Sequence, residues 1–190
     1  MPRRPRQASA SGYYHFINRG VNHNPLFYAP EDYDHYKALL KQYADRFGIQ
    51  ILHYCFLSNH THALIRADDV SRVSLLGHFL HRRYAYYLCR VHELSEQIFK
   101  KHFVSKPIED EAYLLECARY IERNPVRAGM VTDPAEYPYS SYPFYAMGTS
   151  DSLLETNPLY AGLGYDDRER RVAYRAYVRS TRPSEMEVVV

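Results

Sequence analysis

Hydrophobic and polar residues alternate along this chain in two rhythms, and each change of rhythm marks an element. Tyr13–Arg19 (YYHFINR) reads as a strand. Over residues 30–47 the apolar spacing lengthens to about 3.6, the period of a helix with one buried face. Tyr33, Tyr36, Leu39, Leu40, Tyr43 and Phe47 carry it. Pro30 stands near the helix start, Glu31 and Asp32 fall in the first turn, and Gly48 closes it. Residues 49–57 (IQILHYCFL) are β-rich, Ser58-Asn59 is turn-like, and 60–66 (HTHALIR) reads as the partner strand of a hairpin. A second long helix spans 71–89, with Val73, Leu76, Leu80 and Leu88 among its apolar positions. Residues 98–108 (IFKKHFVSKPI) read as extended. A third helix runs from about Asp110 to Asn124, where Pro125 is expected to end it. The Pro-, Tyr- and Ser-rich stretch 133–143 reads as loop, and 166–180 carries one further helix.

The order β-α-β-β-α-β predicts an α+β domain of the ferredoxin-like split βαβ type, an antiparallel sheet with two helices on one face. The third helix and the helical C-terminal tail are additions to that unit. The expected division is a flexible basic arm over 1–12, a main domain over 13–148 and a helical extension over 149–190. No internal repeat interrupts it. Many unrelated activities share this architecture, so function has to be read from a site.

Composition narrows the classes. No apolar run approaches the roughly 18 residues of a membrane span. The N-terminal MPRRPRQASASGYYHF lacks the apolar stretch of a secretory signal. The three cysteines, Cys55, Cys89 and Cys117, are odd in number and far apart, which suits a reducing compartment. A cytoplasmic protein is expected. Net charge is only +2, but the distribution is uneven. Between Arg72 and Lys106 seven Lys/Arg face two acids, Glu93 and Glu96, with four histidines among them. Arg3, Arg4 and Arg6 add a basic start. A local polyanion site fits this pattern, although a solvated helix face would look the same. The 20 tyrosines and absence of tryptophan supply rings that can stack on unpaired bases, while many must serve the core.

Two small constellations carry candidate chemistry. His60 and His62 are two apart on a strand, so both imidazoles point to one face and can grip one divalent cation. Two structural histidines on a strand face are the plainer account. Tyr120 and Asn124 are four apart on the third helix and share a side of it. Asn124 offers an amide oxygen as a third metal ligand, and Tyr120 a hydroxyl one turn away. A core tyrosine beside a helix-ending asparagine is the plainer account there. Only Tyr14 and Tyr120 have Asn or Gln four residues on, and Tyr14 lies in a strand. By the same criterion Tyr84, Tyr86 and Tyr87 on the basic helix are weaker candidates.

Together these stretches resemble the HUH single-tyrosine transposases of small insertion sequences, and most closely the REP-associated tyrosine transposases. The matching segments are YHFINRG, LSNHTHALI, FKKHFVSKPI, AYLLECARYIERNPVRAGMV and PAEYPYSSYPFY, with NPVRAG the most specific. The resemblance covers roughly three quarters of the chain. It implies that Tyr120 is the nucleophile and that His60, His62 and Asn124 hold Mg²⁺ or Mn²⁺. It further implies that the partner is single-stranded DNA with hairpins. Thr61 stands where the family usually has a bulky apolar residue; it should face the other side of the strand.

The implied reaction is metal-dependent cleavage and rejoining of single-stranded DNA near hairpins through a 5′-phosphotyrosine, without a nucleotide cofactor. Arg82, Arg83, Lys100, Lys101, His102, Arg3, Arg4 and Arg6 are candidate DNA contacts. The acting unit is a monomer or a homodimer, with no membrane partner. Two rivals stand beside this reading. One is a non-cleaving single-stranded nucleic-acid-binding module, including an inactive transposase relative. The other is a zinc protein in which His53 and Cys55 meet His60 and His62 across the hairpin.

Overall fold

The structure, a computed structural model, describes residues 6–95, 97–100 and 102–180. Its strands are β1 (Tyr13–Arg19), β2 (Gln50–Leu57), β3 (His60–Arg66) and β4 (Val104–Ile108). Its α-helices are α1 (Pro30–Phe47), α2 (Val70–Val91), α3 (Glu111–Arg127), α4 (Tyr142–Met147) and α5 (Asp167–Arg179). The four strands form one antiparallel sheet in the order β2-β3-β1-β4. This is the expected split βαβ topology. The Ser58-Asn59 turn joins Leu57 to its register partner His60.

The helices α1 and α2 start where the sequence supplies hydrogen-bond acceptors. The Asp32 carboxylate accepts the Tyr28 and Ala29 backbone N–H groups (2.7 and 2.9 Å) and satisfies the entry to α1. Asp69 accepts the Ser71 N–H at the start of α2 (2.8 Å). Gly48 leaves α1 in the left-handed region, at φ 61°.

The two faces of the sheet are covered differently. Tyr14, Phe16, Ile51, Tyr54, Phe56, Ala63 and Ile65 pack with α1 and α2 in the larger core. Gly77 on α2 lets the Phe103 ring approach; a Cβ there would lie 2.0 Å from it. Leu52, Cys55, Leu57, Leu64 and Ile108 pack on the opposite face with Leu114, Cys117, Ala118 and Ile121 of α3. The third helix therefore covers the face to which alternation directs His60 and His62.

Three expectations need correction. The helix α3 does not stop before Pro125 but passes through it to Arg127. Proline removes the N–H that would bond Ile121 O, and the Asn124 side chain replaces it, donating to Ile121 O (3.3 Å) and Tyr120 O (2.8 Å). Gly129, at φ 67°, then closes the helix; Gly129 N–H donates to Val126 O and Met130 N–H to Pro125 O. The extended run 98–108 is two pieces. Phe99 makes an isolated bridge to Gly20, and the strand proper begins only at Val104. The stretch 133–143 is not all loop, since Pro134–Glu136 forms a 3₁₀ turn and α4 begins at Tyr142.

The C-terminal residues seal the β2 edge and clamp α3. Phe56 N–H donates to Tyr139 O, Ser141 N–H to Tyr54 O, and Glu155 N–H to Ile51 O. Arg123 donates to Val178 O (3.0 Å) and Arg119 to Ser180 O, so two cations of α3 meet the negative end of α5. Tyr177 and Tyr174 donate to Glu116 and Glu122 of α3, each at 2.8 Å. Along the other edge, residues of the expected basic arm run beside β4: Ser9 and Ser11 donate to Ile108 O.

Candidate active site

The strand β3 delivers His60 and His62 to the α3 side, as its alternation requires. Their rings stand perpendicular, 5.0 Å apart between centroids. Thr61 points the other way, its Oγ1 3.0 Å from Tyr36 Oη in the α1 side of the molecule. Tyr120 descends from α3 onto the pair, its ring edge-on to His62 at 5.7 Å between centroids. Tyr120 is half-buried and Asn124, one turn on, is buried. Tyr120 of the one constellation thus meets His62 of the other.

Hydrogen bonds constrain the ring nitrogens of the pair. His60 Nδ1 lies 2.6 Å from Asn59 Oδ1, a carbonyl-type acceptor, so Nδ1 carries the proton and Nε2 the lone pair. His62 Nδ1 lies 2.9 Å from His15 Nε2. His62 Nε2 is buried without a hydrogen-bond partner. A buried ring nitrogen in this state is able to coordinate a cation. Asn124 Nδ2 is committed to the helix carbonyls, which leaves the amide oxygen as its accepting atom. Two neutral imidazoles and one amide oxygen are a donor set able to hold a divalent cation, and nitrogen donors favour Mn²⁺ over Mg²⁺.

The local electrostatics keep the imidazoles neutral. Burial, helped by Arg19 and His23, lowers the His60 pKa to about 4. Burial, then His15, His60 and Arg19, holds His62 well below its ordinary value. Burial and Lys106 bring His15 to about 3. A neutral imidazole is the metal-binding form.

The zinc alternative is not assembled. His53 Nδ1 is 2.9 Å from Glu122 Oε1, and its Nε2 accepts from Asn157 Nδ2 at 3.0 Å, so neither nitrogen faces His60. Cys55 lies opposite His62 in register, but burial, then Glu122, pushes its thiol well above the ordinary value. Among the described residues no three His, Cys, Asp or Glu side chains cluster as a metal site.

The basic candidates separate into two grooves. Arg6, Arg82, Lys100 and His102 line one of ≈ 490 Å³ between α2 and the segment leading to β4. Arg6 lies over the Phe103 ring at 3.6 Å and donates to Ser105 Oγ at 3.2 Å. Arg83 points instead into a groove of ≈ 470 Å³ with Tyr86, Tyr87 and Arg90. Arg3, Arg4 and Lys101 lie outside the described residues.

Sequence reading missed His15, Arg19 and Asn59. His15 and Arg19 alternate with Ile17, the register partner of His62, and so share its face. The signal was present in the parity of β1 but needed the β1–β3 pairing to be read. Arg19 pairs in register with His60 and brings a fixed cation to the site.

The family described as transposase IS200 like matches residues 8–124. A structure of a REP-associated tyrosine transposase bound to a REP hairpin superposes with a TM-score of 0.62 at 19% identity, over 83% of this chain and 99% of that one. A crystal structure of a candidate transposase from Deinococcus radiodurans matches at 17% identity and a TM-score of 0.44, over 64% of this chain and 97% of that one. No curated protein matches.

Proposed function

Because the chain belongs to the IS200-like transposases, a group of HUH single-tyrosine enzymes, we propose that it cleaves and rejoins single-stranded DNA beside hairpins with Tyr120 as nucleophile. The observation that carries this reading is the approach of Tyr120 to His62, whose Nε2 is buried and unpartnered.

A tyrosine hydroxyl has an ordinary pKa of about 10 and is a weak nucleophile at neutral pH. Placement is the first remedy, since a hydroxyl held against its target needs no encounter step. The α5 clamp supplies that placement by fixing α3 on the sheet. The Tyr120 oxygen attacks phosphorus in line and gives its proton to solvent. The P–O3′ bond breaks, the 3′ oxygen takes a proton from solvent and leaves as a 3′-OH, and the 5′ phosphate remains as a phosphotyrosine. Attack by a 3′-OH on this ester restores the phosphodiester and frees Tyr120, so no nucleotide cofactor is consumed. Held by His60, His62 and the Asn124 amide oxygen, Mg²⁺ or Mn²⁺ would neutralise charge on the scissile phosphate. Arg19 faces the same position and adds a permanent cation toward it.

The hairpin carried by the REP-associated relative supports a hairpin substrate for this chain. Arg6, Arg82, Lys100 and His102 are the proposed phosphate contacts, in a single groove.

The test is nicking of a single-stranded hairpin oligonucleotide with and without Mn²⁺, followed by peptide mapping of the covalent adduct. An adduct on the Tyr120 peptide supports the reading. Tight binding with no nicking returns the chain to a non-cleaving DNA-holding module.

A further inference from the structure

We propose that His15 is a positioning residue that orients His62, holding it as the Nδ1–H tautomer with its Nε2 lone pair turned to the cation. The inference rests on the reading of His60 and His62 as a cation site and extends it to a residue one strand away.

Three observations converge on His15. Its Nε2 lies 2.9 Å from His62 Nδ1, close enough for a single shared proton. Its ring packs against both partners, 5.0 Å from the His62 centroid and 5.9 Å from that of Tyr120, edge-on to the latter. Its side chain is buried, so no water competes for the bond.

The direction of that bond follows from the far side of His62. With both rings neutral, one proton lies between the two nitrogens. If His15 donated, His62 would carry its own proton on Nε2, a buried N–H with no acceptor. If His62 donates, its Nε2 is bare and able to coordinate. Only the second arrangement prepares the ligand. The pattern matches a general one, in which a ligating imidazole gives its other N–H to a fixed acceptor that sets tautomer and ring angle. His60 has the same arrangement with Asn59 as its acceptor. Both ligands are therefore held from behind, one by an amide of the hairpin turn and the other by an imidazole of β1. The Tyr120 contact extends the role, because the ring that orients His62 also flanks the nucleophile.

The experiment compares His15→Phe and His15→Gln, each in a Tyr120→Phe background so that turnover plays no part. Phenylalanine keeps the ring and removes the acceptor; glutamine restores an acceptor near the position of Nε2. Mn²⁺ binding is read by electron paramagnetic resonance, and the His62 tautomer by ¹⁵N NMR without metal. His15→Phe should weaken Mn²⁺ binding about 10- to 100-fold, and His15→Gln should recover most of it. In the metal-free spectra His62 should be protonated on Nδ1, and lose that preference in His15→Phe. Thermal unfolding of the variants reports folding separately. Unchanged Mn²⁺ affinity in a folded His15→Phe protein, or a His62 protonated on Nε2 when His15 is present, would overturn the proposal. If the protein with His15 intact binds no Mn²⁺, the cation reading fails, while the tautomer measurement still decides whether His15 orients His62.

Discussion

Asn124 donates its side-chain amide to the carbonyl of Ile121, the acceptor that Pro125 leaves without its helical N–H. A second bond, to Tyr120 O, ties the same amide to the residue that bears the proposed nucleophile. A single side chain thereby repairs the helix and keeps its amide oxygen out of those two bonds. This explains why Asn and Pro stand together in NPVRAG, and why a helix passes through a proline that the sequence would have it stop at.

Two roles for Asn124 predict separable defects. Asn124→Ala should cost about 1–2 kcal/mol in urea unfolding, from two lost hydrogen bonds to carbonyls. Adding Pro125→Ala restores an N–H to Ile121 O and should recover much of that stability. Nicking should not recover, because the amide oxygen is still absent. Recovery of both together would assign Asn124 to structure alone.

One bond of the clamp on α3 can be removed without replacing any side chain of the histidine pair. The Glu122 carboxylate is buried and accepts from His53, Ser141 Oγ (2.6 Å) and Tyr174 Oη (2.8 Å). Tyr174→Phe removes one charge-assisted bond and should lower unfolding stability by about 1.5–3 kcal/mol. Mn²⁺ affinity at His60 and His62 should stay within a few-fold, measured by titration well below the unfolding midpoint.

Acid should destabilise the fold early. His15, His60 and His81 have folded pKa values of about 3, 4 and 4, against 6.5 unfolded. Each titrates only in the unfolded chain between those limits, so the unfolded state binds more protons. Stability should therefore fall as pH drops below about 6.5 and level off only near the folded values, by up to roughly 1.4 kcal/mol per pH unit per histidine. Urea midpoints at pH 7.5, 6 and 5 check the sign. His60→Asn should flatten the dependence, because it removes one such group.

Much of this was legible in the sequence. Hydrophobic periodicity gave β1, α1 and β3 at their observed limits, because each has one buried face and clear end signals. Strand parity placed His60 and His62 together, and helix spacing placed Tyr120 with Asn124. Their convergence was not legible from spacing, since it depends on α3 crossing the far face of the sheet. Long-range partners were equally hidden. His15 meets His62 through strand pairing, and Glu122 meets His53 through a register shift in β2 between Ile51 and His53. The basic residues show the limit of one-dimensional reading. Arg82 and Arg83 are neighbours in sequence, yet a helix turns them about 100° apart and they line different grooves.

That separation predicts distinct binding behaviour. If hairpin DNA occupies the groove of Arg6, Arg82 and Lys100, then Arg82→Ala and Lys100→Ala should each reduce the salt slope of binding by about one. Arg83→Ala should leave that slope unchanged. Fluorescence anisotropy across a salt titration distinguishes the two, and equal effects of Arg82→Ala and Arg83→Ala would place the DNA elsewhere.

The most direct measurement is a denaturing gel of protein incubated with a single-stranded hairpin oligonucleotide and Mn²⁺. The unaltered chain should form a covalent protein–DNA band, and Tyr120→Phe should bind the oligonucleotide without forming it. A covalent band that persists in Tyr120→Phe would contradict the account, because the strand would then be joined through some other residue.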